Sequence, residues 1–149
     1  MSLNENLINH LQHLVVIGVD GEEGYTKAAE MVSSKGLLAQ FEQAATSRNI
    51  QAEAIRNYLS GQGIEKPAHE GGFAGTLHRA WLDIKGTLSN RSDSVAINSC
   101  INGDKAAINA YQDILDDKEV PADLRSLLTE HLETIQTDVK NLELLLQKS

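Results

Sequence analysis

The sequence predicts an all-α fold: a bundle of four long helices, with a long connection between the second and third that carries one short extra helix. Three observations lead there. Four segments repeat apolar residues at spacings of three and four, and none alternates in the two-residue period of a strand. The only two prolines, Pro67 and Pro121, both fall between those segments. The breaks after the first and third segments are short, whereas the break after the second is long and rich in glycine. A chain of 149 residues fits one domain spanning 1–149. Its 41% hydrophobic and 23% charged content is that of a chain able to build a core rather than a disordered one.

The first helix is expected to open at a Ser2-x-x-Glu5 capping box and to run to about residue 33. Its stripe is Leu7, Leu11, Leu14, Gly18, Gly21, Tyr25, Ala28 and Val32. After the break SSKG, the second helix covers about 37–60 through Leu38, Phe41, Ala45, Arg48, Ala52, Ile55 and Leu59. Gly61, Gly63, Pro67, Gly71 and Gly72 mark a loop, and a shorter helix at about 73–88 aligns Leu77, Trp81, Ile84 and Leu88. Ser92 or Asp93 caps the third helix, whose stripe of Ile97, Ile101, Ile108, Tyr111 and Leu115 ends near Asp117. Pro121 stands at the first helical position of the fourth, which carries Leu124, Leu128, His131, Ile135, Asp138, Leu142 and Leu145. Short turns make the first and second helices one hairpin and the third and fourth another, and the long middle connection suits a crossover bundle of the ferritin type.

Composition removes several function classes. Thirteen Lys and Arg against 21 Asp and Glu give a net charge of −8, which repels a phosphate backbone, and no basic run offsets it. The single Cys100 excludes an intramolecular disulfide and a Cys-rich zinc site, and no basic leader precedes the first helix, so a reducing cytoplasm is expected. The apolar stretches are too interrupted to span a bilayer. No nucleotide-binding glycine loop, zincin motif or hydrolase elbow occurs.

Polar residues interrupt the apolar stripes at matching places. Asp104 fills the step between Ile101 and Ile108, and Glu22 fills the same role in a stripe of Val15, Gly18, Tyr25, Ala29 and Val32. Each follows a glycine, in DGEE and in NGDK, which reads as a weak repeat of one hairpin by the other. Arg48 lies 48 − 22 = 26 positions beyond Glu22, and His131 lies 131 − 104 = 27 beyond Asp104. A buried carboxylate is costly unless it is paired and hydrogen-bonded. The expectation is a buried polar cluster in which Arg48 and His131 neutralise Glu22 and Asp104, with the Tyr25 and Tyr111 hydroxyls bonded to it.

The alternative reading is a metal cage. Di-iron bundles take a Glu from each of two helices and a Glu-x-x-His from each of the other two, because residues three apart share a face. Glu22 and Asp104 match the single carboxylates, with Glu53, Glu133 and His131 as further candidates. The Glu-x-x-His pairs are replaced by Glu53-x-x-Arg56 and Glu133-x-x-Gln136, and Arg48 brings a cation to the cage. The loss of two histidines and the added charge weigh against iron or another divalent metal.

DGEEGY (20–25), GTLHRAW (75–81) and INGDKAAINAY (101–111), in this order, resemble a bacterial four-helix-bundle family with a ferritin-like fold, domain of unknown function 2383. The most specific piece is Leu77-His78-Arg79-x-Trp81, which bundle packing alone does not demand. The resemblance implies a ferritin-like architecture and supplies no established activity, substrate or cofactor. Asp104 stands where Glu is expected after that glycine. The leading expectation is a non-catalytic, metal-free helical module that acts through an unknown protein partner or self-association, with the stress association that related ferritin-like bacterial proteins suggest. The alternative is a metal-binding, di-iron-like bundle with redox or metal-storage activity.

Overall fold

The structure is a computed structural model that describes residues 4–64 and 93–148. Among the described residues the chain forms four helices and no strand: α1 (Glu5–Met31), α2 (Lys35–Gly61), α3 (Asp93–Leu115) and α4 (Ala122–Lys148). The short helix expected at 73–88, with His78, Arg79 and Trp81, lies outside the described residues.

Local chemistry sets the helix ends. Asn4, rather than Ser2, caps α1: its Oδ1 accepts the Leu7 backbone N–H at 2.8 Å. Ser34 does the same for α2, accepting the Leu37 N–H at 3.3 Å. The turn from α3 to α4 is tied by Arg125, whose guanidinium donates to the Leu115 and Asp117 carbonyls, each at 2.7 Å. The Leu115 carbonyl ends α3, where no further helical N–H reaches it, and Asp117 lies in the turn just beyond.

The contacts define the topology. Asn4 bonds Glu119, Tyr25 bonds Asp104, and the Ser33 backbone N–H donates to Asp93 at 3.0 Å, so α1 and α3 run antiparallel. Each hairpin is antiparallel through its short turn. α2 and α3 therefore run in the same direction, and the two ends joined by residues 62–92 lie at opposite ends of the bundle. An up-down-up-down bundle would place those ends side by side. α1 packs most extensively on α2 and α3 on α4, α1 also flanks α3, and α2 and α4 meet over only a short length.

The core divides into two apolar blocks. One gathers Leu7, Leu11, Leu14, Ile55, Leu59, Leu124 and Leu128; the other gathers Tyr25, Phe41, Ile97, Cys100, Val139 and Leu142. Fully burying one such aliphatic side chain contributes about 1.5–3 kcal/mol, so these blocks hold the bundle together. Between them lies a polar layer. Its position depends on α1 approaching α2 closely: a Cβ at Gly18 would stand 3.0 Å from Ala52 Cβ and 3.2 Å from the Arg48 carbonyl oxygen.

Candidate functional site: a buried ion-pair layer

Arg48 forms the centre of the layer. It is 2% exposed, on the inward face of α2, and its aliphatic stem runs past Gly21, where a Cβ would meet Arg48 Cγ at 3.3 Å. Its Nη2 donates to Asp104 Oδ2 at 3.0 Å and to Asp138 Oδ2 at 2.8 Å, while Nε reaches Asp104 Oδ1 at 3.4 Å. One guanidinium thus joins α2 to both helices of the other hairpin. Tyr25 of α1 adds a third side: its hydroxyl donates to Asp104 Oδ2, and its ring lies under the guanidinium at 5.3 Å. Phe41 meets the Tyr25 ring edge-on and joins the layer to the apolar block that holds Ile97 and Leu142.

Burial dominates the electrostatics. It pushes the Asp104 carboxyl above its ordinary range, opposed by the Arg48 charge and by the bonds from Arg48 and Tyr25. Burial also works against the Arg48 charge, but Asp104 and Tyr25 beside it outweigh that and hold its pKa above the usual value. The Tyr25 hydroxyl and the Cys100 thiol are both raised, chiefly by burial and then by Asp104, so neither supplies an anionic nucleophile.

His131 plays a different part from the expected one. It is buried, and its Nδ1 lies 3.1 Å from the Tyr111 hydroxyl rather than beside a carboxylate. Burial, then the Arg48 charge, lowers its pKa to about 4. The imidazole is therefore neutral at neutral pH and bonds to a phenol whose own pKa burial raises.

The structure brings Arg48, Asp104 and His131 into the buried layer and leaves Glu22 at its edge. Glu22 is half-buried and accepts the Asn49 side-chain N–H at 3.3 Å. The expected Glu22–Arg48 pair is replaced by Arg48–Asp104, and Asp138 supplies the second acid. Asp138 already stood on the stripe of the fourth helix, seven residues after His131, and that spacing was the signal for it. Gln51 and Asp20, 5% and 4% exposed, are further buried polar residues that the stripes do not include.

Among the described residues the candidate ligands of the metal alternative do not converge. Glu53 is exposed and pairs with Arg56, Glu133 is exposed, and Asp104 is engaged by Arg48. Among the described residues no three His, Cys, Asp or Glu side chains converge as ligands. A guanidinium held by two carboxylates is also a poor neighbour for a divalent cation. Glu22, Glu53, Asp104, His131 and Glu133, as placed here, do not form the ligand set of a di-iron centre.

A family model described as Domain of unknown function (DUF2383) matches residues 6–117, and the chain belongs to that family. The search of curated proteins and that of solved structures each give no match.

Proposed function

We propose that this family member is a non-catalytic helical module of ferritin-like topology that acts through protein association, with an internal ion pair where ferritin-like enzymes hold metal. The observation that carries this reading is the Arg48 guanidinium, 2% exposed and bonded to Asp104 and Asp138 across the bundle. An arginine fixed between two acids supplies the positive charge that buried carboxylates require. Burial keeps the Cys100 thiol and the Tyr25 hydroxyl protonated and the His131 imidazole neutral, so none of the three is an activated nucleophile.

The parallel course of α2 and α3 supports the ferritin-like assignment, because a crossover connection is what distinguishes those bundles. The helical spacing of Leu77, Trp81, Ile84 and Leu88 supports a short helix within that connection. In this reading the module works in the cytoplasm. Among the described residues no helix is long and apolar enough to cross a membrane.

Elemental analysis tests the reading. Untagged protein from iron- and zinc-supplemented medium is expected to carry metal far below stoichiometry. A content of about one or two metal atoms per chain, as a bundle metal centre requires, and its loss in Asp104→Ala would overturn the reading.

A further inference from the structure

A small cavity lies beside the ion-pair layer, between α1, α2 and α3, with Ile135 of α4 closing it. Gly18, Gly21, Arg48, Gln51, Asp104 and Tyr111 are among its walls. The two glycines bring α1 close to Ala52 and the Arg48 stem, and the space beside them is about the size of one water molecule. Gln51 is 5% exposed, and its amide bonds to no side chain or backbone group among the described residues. A primary amide carries two N–H donors and a carbonyl acceptor. Buried groups of this kind nearly always find partners, in protein or in ordered water.

We infer that this cavity is a binding site for one internal water molecule, which links the Gln51 amide to the Arg48–Asp104–Tyr111 layer. The walls choose the ligand. Asp104 opposes an anion, and Arg48 opposes a cation. Water accepts from Gln51 or Arg48 and donates to Asp104 or the Tyr111 oxygen, so it satisfies donors and acceptors together. It also extends the polar layer from α2 towards α3 without placing another charge in the core. Gln51 is in this account a positioning residue for the water.

A crystal structure of the full chain at high resolution, from bromide-soaked crystals, combined with magnetic relaxation dispersion in solution, tests the site. The expected density is a single water peak within hydrogen-bond distance of the Gln51 amide and of at least one of Arg48, Asp104 and Tyr111. In solution, Gln51→Leu is expected to lose one long-lived water while circular dichroism stays helical. If that variant fails to fold, the wild-type density decides alone. An anomalous bromide peak in the cavity would overturn the proposal in favour of an anion. Gln51 bonded directly to protein, with no water peak, would overturn it outright.

Discussion

Gly21-Glu22 and Gly103-Asp104 are the same local device placed once in each hairpin, yet the protein uses them in opposite ways. On α3, Asp104 points into the bundle and takes bonds from Arg48 and Tyr25. On α1, Gly21 faces the Arg48 stem, and the next residue is rotated by about 100° of helix, which carries Glu22 to the rim beside Asn49. Their partners diverge in the same manner: Arg48 is an ion-paired centre, while His131 is a neutral imidazole on Tyr111. One cation serves two acids of the other hairpin. Equivalent sequence positions thus do not give equivalent pairs, because a bundle pairs charges across its middle rather than within each hairpin.

That asymmetry can be broken most forcefully at Arg48. Arg48→Ala leaves Asp104 buried without its cation and is expected to cost about 3–5 kcal/mol in urea or guanidinium unfolding. A loss below about 1 kcal/mol, the range of exposed pairs, would place the pair in effective contact with solvent.

His131 contributes the next largest effect, and it depends on pH. Its pKa of about 4 lies below the unfolded value of 6.5, so between those values the unfolded chain binds more protons. Its contribution is full above pH 6.5 and is lost as pH falls towards 4, by about 3 kcal/mol at 1.36 kcal/mol per unit. The raised Asp104 pKa acts in the opposite sense, so the comparison is wild type against His131→Gln. The variant is expected to lose less stability between pH 6.5 and 4, and parallel pH curves would remove the neutral-imidazole assignment.

Smaller changes sharpen the α1 side of that contrast. Gly18→Ala gains helix propensity of about 1 kcal/mol but forces a Cβ against Ala52 and the Arg48 backbone, for which overpacking costs about 1–3 kcal/mol. Thermal unfolding is expected to show net destabilisation, and a raised Tm would mean that α1 and α2 separate easily. Glu22→Gln, at the rim, is expected to stay within about 0.5 kcal/mol of wild type in the same assay.

Much of the fold was legible in the sequence because its signals are local. The four stripes, the capping residues near their starts and the contrast between short and long breaks foretell helices that match α1 to α4 within a few residues. The polar layer was legible only in part. Arg48, Asp104 and His131 stand out as polar steps in apolar stripes, but who bonds whom depends on how each helix is rotated about its axis. Glu22 and Asp138 exchange roles for that reason: both stand on stripes, but only Asp138, three-tenths exposed, is turned to where α2 brings Arg48. Gln51 stands three residues after Arg48 and four before Ile55, but the stripe passes as well through its apolar neighbour Ala52, so a glutamine there reads as solvated.

A double-mutant cycle on urea unfolding measures the cross-hairpin pairing most directly, using Arg48→Met with Asp104→Asn and, in parallel, Arg48→Met with Glu22→Gln. The account predicts a coupling above about 1 kcal/mol for Arg48 with Asp104 and one near zero for Arg48 with Glu22. Comparable couplings in the two cycles, or a larger one with Glu22, would contradict it.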